Sequence, residues 1–322
     1  MRWRMAGLKG IRRALEAPLM RFGLAVVPRF PRRLLLGLAR GLGTGAYVFS
    51  ARTRRLGLAN LDVAFGDSKT PAEKKWIMRE SLRNLALVLL DLLWFSRDSD
   101  ARLRRWFVAA PSMEAELAGP VGANVGITGH FGNWELTGRY WALRTGKMMS
   151  VAMPIKNAAV DRLIQRMRED NNQVVIPREG ALRKLVQFLR DGGTVGLLLD
   201  QNTKPREGGI FVEFFGRAVA VSPAAGVLAT MSGAPIIFIC ARPQRDGTYL
   251  GELFGKIEAN EVTGDDRRAV AAELTQRVTG FYEDVIRAYP ECWLWSYKRW
   301  RYIPPGQNPE DYPAYARPVN LS

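Results

Sequence analysis

The chain has one histidine, His130, and two cysteines, Cys240 and Cys292, among 322 residues. A single histidine excludes a metal centre built on several imidazoles within one chain. Two cysteines fifty-two residues apart exclude a disulfide scaffold and a cysteine-rich zinc module, and they fit a reducing compartment. No Gly-x-Ser-x-Gly elbow, Walker phosphate loop or Gly-x-Gly-x-x-Gly fingerprint occurs, which removes the usual serine-hydrolase and nucleotide-binding motifs. Long apolar runs are also missing. The best window, Leu34–Ser50, has seventeen residues and is broken by Arg40 and four glycines, whereas a spanning helix needs roughly 20 predominantly apolar residues. Arg21 and Pro28-Arg29 likewise interrupt the first apolar stretch, a poor fit to a secretory signal.

Acidic residues are scarce at the N-terminus. Residues 1–55 carry thirteen Lys/Arg and one acid, Glu16, so this stretch holds most of the +16 net charge. Leu19, Phe22, Leu24, Phe30, Leu34–Leu36, Leu38, Leu42 and Phe49 lie between those charges. A membrane surface suits the mixture: arginines sit among acidic headgroups while leucines and phenylalanines insert. Nucleic acid suits it less, because apolar residues between the charges waste phosphate contact. A third reading is a basic amphipathic helix pair packed on the domain. The expected membrane-binding set is Arg29, Arg32, Arg33, Arg52, Arg54 and Arg55, within a membrane-associating segment 1–60.

The remainder is ordinary globular material, 47% hydrophobic and 24% charged, and long enough to bury a sizeable core. Pro71 opens a helix with Thr70 as N-cap, and Ile77–Trp94 is apolar around much of its circumference, which predicts core packing. After Gly119-Pro120, short apolar runs alternate with helical segments. Strands are expected at Asn124–Thr128, Met148–Ala152, Val174–Ile176, Val195–Leu199 and Pro235–Ala241. Helices are expected at Asn133–Arg144, Ala158–Glu169, Ala181–Arg190, Ser222–Met231 and Asp265–Ala288. This order predicts an α/β fold with a mostly parallel sheet flanked by helices, spanning 61–303, and a surface tail over 304–322.

Ligands of open α/β sheets gather at the carboxyl ends of the strands. Two such ends carry polar residues: Gly129-His130-Phe131-Gly132-Asn133-Trp134-Glu135 and Asp200-Gln201-Asn202. With His130 in a turn and Glu135 in the first helical turns, the carboxylate can fold back to one ring nitrogen. It would fix the tautomer and leave the other nitrogen as a general base. Backbone N–H groups at the helix start are candidates for stabilising an oxyanion. The plainer reading is a packed histidine, since a bare His-x4-Glu pattern recurs by chance.

The 129–135 block resembles the His-x4-Asp/Glu signature of the bacterial lipid A late acyltransferases, the lauroyl/myristoyl transferase family. Further blocks follow in that family's order: Asp200-Gln201, Gly209–Gly216, Gly233-Ala234-Pro235, then Pro290, Glu291, Cys292, Trp293, Leu294, Trp295, Tyr297, Lys298, Arg299 and Trp300. Pro31-Arg32-Arg33, Asn60-Leu61 and Phe65 also match, so the resemblance covers nearly the whole chain. It implies a glycerolipid-acyltransferase-like fold on the cytoplasmic face of a bacterial inner membrane. It also implies transfer of an acyl chain from an acyl carrier protein thioester to a hydroxyl of a lipid A precursor. His130 would be the base and Glu135 its orienting partner. Asn133, Lys156, Arg168, Arg178, Asp200 and Gln201 are assigned to an anionic glycolipid acceptor, with Asp200 shaping the site. No metal or bound cofactor is implied, since the thioester carries its own activation. Two positions depart from the family pattern: Met153 stands where relatives often carry arginine, and Tyr297 where many carry histidine. Same-chemistry alternatives are a phosphatidylinositol mannoside or lysophospholipid acceptor, with acyl-CoA as donor. A different class is a non-catalytic basic protein binding membrane or nucleic acid.

Overall fold

The structure is a computed structural model that describes residues 16–119, 121–152, 157–169 and 172–319. The N-terminal part is helical: α1 (16–26), α2 (Arg32–Phe49), α3 (Ala51–Phe65), α4 (Pro71–Trp94) and α5 (Ser99–Trp106). The alternating part follows as β1 (Phe107–Ala109), α6 (Pro111–Leu117), β2 (Asn124–Thr128), α7 (Trp134–Thr145), β3 (Met148–Val151), α8 (Ala158–Glu169), β4 (Gln173–Ile176), α9 (Ala181–Arg190) and β5 (Thr194–Leu198). Then come β6 (Ile210–Phe214), β7 (Arg217–Val221), α10 (Ala224–Ser232), β8 (Ile236–Pro243), β9 (Tyr249–Ile257) and α11 (Arg267–Ala288), with short strands β10 (Tyr302–Ile303) and β11 (Arg317–Pro318).

Seven strands form one sheet in the order β1-β9-β8-β2-β5-β3-β4. Every neighbouring pair in it is parallel except β8–β9. The expected mostly parallel α/β sheet is therefore present, with boundaries within about two residues of the sequence reading. Strands β1 and β9 are additions that the reading did not place. Side chains of alternate strand residues point to opposite faces, and each face has its own core. Val125, Ile127 and Phe238 pack with α9, α10 and α11. Ile237, Ile239, Leu136 and Tyr140 pack with the helices on the other side. Phe214-Phe215-Gly216 turns the β6–β7 hairpin, with positive φ at Phe215 (52°) and Gly216 (68°).

Helix α4 begins as expected: Thr70 accepts from the Glu73 N–H, and the Glu73 carboxylate returns a bond to the Thr70 N–H. It then serves as the post against which α2 packs, with Leu35 and Ala39 of α2 sharing a core with Leu87 of α4 and Gly43 lying against the Arg83 backbone. One member of the expected membrane-binding set is displaced by this packing. Arg32 is buried, paired with Asp91 of α4, and its Nε and Nη2 donate to the Gly247 carbonyl at 3.0 and 2.9 Å. A guanidinium sealed in this way is structural and not available to lipid. Arg29, Arg33, Arg52 and Arg55 are exposed, while Arg54 bonds the Tyr47 and Val48 carbonyls at the end of α2. Asp91 also accepts from the Tyr249 hydroxyl at 2.5 Å and from Asn133 Nδ2 at 3.5 Å. Asp91→Ala leaves the Arg32 charge buried and unpaired. We expect a loss of about 3–5 kcal/mol in unfolding free energy, read as an earlier denaturant midpoint of the detergent-solubilised protein.

The tail expected to lie over the surface is partly inserted. Tyr312 and Ala316 are buried, and the Tyr315 hydroxyl bonds Asn60. Asn60 in turn donates to the Trp295 and Tyr297 carbonyls. No single described helix is long and apolar enough to cross a membrane. Residues 32–49 and 51–68 meet that length and composition test only as a pair bent by 90°.

Candidate active site

The turn between β2 and α7 is held from three sides. The Gly132 N–H donates to the Cys292 carbonyl at 2.9 Å, the Asn133 N–H to the Ala241 carbonyl at 2.9 Å, and the Leu294 N–H to the His130 carbonyl at 3.0 Å. Gly132 has φ +53°, and a side chain there would collide with the Ala241 carbonyl. A Cβ at Gly129 would meet the Tyr282 ring at 2.7 Å and crowd the Asp200 carboxylate. These two glycines let His130 project from the sheet with Asp200 close beside it.

Asp200 follows β5, which lies next to β2 in the sheet. Its Oδ1 is 2.8 Å from His130 Nδ1, and its Oδ2 accepts from the His130 backbone N–H at 2.8 Å and from Trp293 Nε1 at 3.0 Å. Burial works to raise the Asp200 pKa. The facing imidazole and these three donors outweigh it and hold the carboxyl below its ordinary value, so Asp200 is ionised. Burial also works against a charged His130 ring. The attraction of Asp200, its hydrogen bond and the more distant Glu135 charge outweigh it and raise the pKa above 6.5. An ionised acceptor at Nδ1 places the proton there and leaves the lone pair on Nε2. Gln201 Nε2 lies 3.2 Å from that nitrogen, and the Trp134 ring packs 4.8 Å from the imidazole.

The carboxylate bonded to the His130 ring is therefore Asp200, and not Glu135 as the local spacing led us to expect. Glu135 lies in the first turn of α7 and is clamped by Arg168 of α8, with Nη2–Oε1 at 2.6 Å and Nε–Oε2 at 3.3 Å. Its influence on His130 is through space. Asn133 is also not a substrate contact. It is 1% exposed, caps α7 by accepting from the Leu136 N–H, and donates to Asp91. Arg178 is exposed and pairs with Glu207 outside the cavity described below. Lys156 lies outside the described residues.

A cavity of about 290 Å³ runs from His130 and Glu135 between the sheet and helices α7 and α8. Its floor owes its depth to small residues in one register row: Gly126 on β2, Gly196 on β5 and Ser150 on β3. Gly138 of α7 faces the trough from above. Apolar side chains from Met148, Leu198, Ile164 and Ile239 complete much of the wall. The sequence reading missed this trough. Its signal was the glycine inside each of two expected strands, where a strand otherwise favours a bulky side chain. Among the described residues, no group of three or more His, Cys, Asp or Glu is arranged to hold a metal ion.

A buried carboxylate paired with a partly exposed histidine stands at the strand ends, at the mouth of a largely apolar trough. The sequence profile described as "Bacterial lipid A biosynthesis acyltransferase" matches residues 11–302. The chain belongs to that family and is an acyltransferase. It is 26% identical over 291 residues to the "Lipid A biosynthesis lauroyltransferase" of Escherichia coli strain K12, covering 88% of this chain and 90% of that protein. It is 26% identical over 195 residues to the "Phosphatidylinositol mannoside acyltransferase" of Mycobacterium tuberculosis strain CDC 1551 / Oshkosh, covering 58% of this chain and 57% of that protein. The crystal structure of the 1-acyl-sn-glycerophosphate (LPA) acyltransferase PlsC from Thermotoga maritima overlays on 73% of this chain and 97% of its own. The TM-score is 0.32 at 13% identity.

Proposed function

We propose that the protein moves a fatty acyl group from an acyl carrier protein thioester to a hydroxyl of a lipid A-type glycolipid, with His130 as general base. The observation that carries this is the His130–Asp200 pair at the mouth of the apolar cavity. The acyl chain lies in the trough, which brings its thioester carbonyl beside His130. As the acceptor hydroxyl oxygen attacks that carbon, Nε2 takes the hydroxyl proton. Gln201, which shares Nε2 at rest, is displaced or shifts. The imidazolium formed is stabilised by Asp200. Collapse of the tetrahedral intermediate breaks the C–S bond, and the proton on Nε2 goes to the leaving sulfur, giving an ester and a free thiol. The N–H groups of Trp134 and Glu135 meet no acceptor among the described residues, and they are the candidates for the oxyanion. No cofactor enters this scheme.

The acceptor arrives from a membrane. Leu19 and Phe22 of α1 and Leu34, Leu38, Leu42, Val48 and Phe49 of α2 are all exposed, with Phe49 at 89%. Arg33, Arg40, Arg52 and Arg55 are exposed beside them. This combination suits an anionic cytoplasmic leaflet of a bacterial inner membrane. The same basic face supports steering of an acidic carrier protein. The partial similarity to phosphatidylinositol mannoside acyltransferases keeps a second glycolipid class as the alternative acceptor.

The test is acyl transfer by detergent-solubilised protein, with carrier-protein and CoA thioesters offered in parallel. The acceptors are a tetra-acylated lipid A precursor, a phosphatidylinositol mannoside and lysophospholipids, with products read by mass spectrometry. The expected product is the acylated lipid A precursor, made faster from the carrier-protein donor. Transfer only to a lysophospholipid, or only from CoA, would overturn the assignment of acceptor or donor.

A further inference from the structure

The far end of the cavity is not finished as a hydrocarbon pocket. Residues that share a register row with Met148 lie at the opposite end of the strands from His130: Asn124 on β2, Thr194 on β5 and Gln173 on β4. That row is four residues below Thr128, a depth of roughly 13 Å at about 3.3 Å per strand residue. Both Met148 and Gln173 line the cavity there. Gln173 is 5% exposed and its Nε2 has no hydrogen-bond partner. A Cβ built on Gly138 would lie 3.7 Å from that Nε2 and 3.9 Å from Oε1, so the amide is wedged under the glycine of α7. Trp141 also lines the cavity and is 3% exposed, and its Nε1 is a second buried donor without a partner. Three residues separate Gly138 from Trp141, so both present to the same side of α7.

A pocket for a plain alkyl chain has no use for two buried donors on residues of its wall. Each unpaired polar group costs free energy when water is removed, and an alkane returns none of it. An amide and an indole N–H on two residues lining one cavity ask for an oxygen. We propose that this end recognises a hydroxyl carried on the distal part of the acyl chain, so that the preferred donor is a hydroxylated fatty acyl group. The hydroxyl accepts from Trp141 Nε1 or the Gln173 amide nitrogen and donates to the amide oxygen. Gly126, Gly196 and Ser150 leave the trough open for the methylenes that lead to it. This inference rests on the reading of the cavity as the acyl-chain site, and its test is chosen to stand apart from turnover.

The test is equilibrium binding of dodecanoic acid and terminally hydroxylated dodecanoic acid to the full-length protein in detergent, followed by tryptophan fluorescence. Trp134 and Trp141 in the cavity wall supply the signal. The hydroxylated acid is expected to bind at least about tenfold more tightly, and Gln173→Leu to erase most of that advantage by favouring the plain acid. Equal or weaker binding of the hydroxylated acid by the unaltered protein would overturn the proposal, as would binding of neither. That comparison needs no variant, so misfolding of Gln173→Leu would not shelter it. An intact preference for the hydroxylated acid, with no transfer from any thioester, would uphold the pocket while defeating the assigned reaction. The corresponding pair of carrier-protein thioesters then reads the same selectivity in kcat/KM.

Discussion

Replacing His130 with alanine should lower kcat/KM for acyl transfer by about 10³–10⁴-fold while leaving the fold and membrane attachment in place. The size of the loss follows from position. Nε2 is the one basic nitrogen at the cavity mouth with its lone pair fixed outward, and the chain has no other imidazole to substitute. The fold should survive because the turn is held by backbone bonds of Gly132, Asn133 and Leu294, which do not use the ring. The check is transfer rate beside thermal unfolding and vesicle flotation of the same preparation. A variant with near-normal turnover would remove the histidine from the chemistry and favour a non-catalytic role for the basic face.

Asp200→Asn should cost about 10²–10⁴-fold in kcat, for a reason visible in its hydrogen bonds. Asp200 Oδ2 already accepts from the His130 N–H and Trp293 Nε1–H, and Oδ1 accepts from Nδ1. An asparagine has one oxygen. If that oxygen keeps the two fixed donors, the NH₂ group faces Nδ1 and forces the proton to Nε2, the wrong tautomer for a base. The pH profile supplies a second readout. Only neutral His130 can take a proton, so activity rises with pH through the histidine pKa. Because Asp200 helps to raise that pKa, the acid limb of kcat/KM should sit above pH 6.5 and move to lower pH in Asp200→Asn. Glu135→Gln should move the limb the same way by less, since Glu135 acts on the ring through space. The reverse order, with a large shift from Glu135→Gln and little from Asp200→Asn, would restore the local His-x4-Glu pairing.

The misreading of Glu135 has a physical origin. Five residues separate His130 from Glu135, and that proximity is visible in the sequence. Asp200 comes seventy residues later and meets His130 only because β5 inserts between β2 and β3. Strand order is a tertiary property that local periodicity does not encode. The parallel core was legible because each strand and its helix carry their own patterns, and the polar ends of β2 and β5 were both marked as sites. Strand β9 escaped notice because Tyr249–Ile257 mixes glycine, glutamate and lysine into its apolar run. Arg32 looked like one more cation in a basic stretch, and only packing against Asp91 sets it apart. The cavity was hidden because it is made by absent side chains at Gly126, Gly138 and Gly196, on three elements that the sequence does not place together.

The Arg32–Asp91–Asn133 contact bears on how the enzyme can be prepared. Trimming the N-terminal helices is a natural route to a version that handles without detergent, since their outer face is greasy. A cut that removes Arg32 would leave the buried Asp91 carboxyl without its cation beside Asn133, the residue that caps α7. The shortened protein would then lose the alignment of α7 along with its exposed apolar face, and an inactive preparation would be mistaken for proof that a membrane is needed for chemistry. Surface redesign of Leu34, Leu38, Leu42 and Phe49 to polar residues, with Arg32 kept, separates solubility from the integrity of α7.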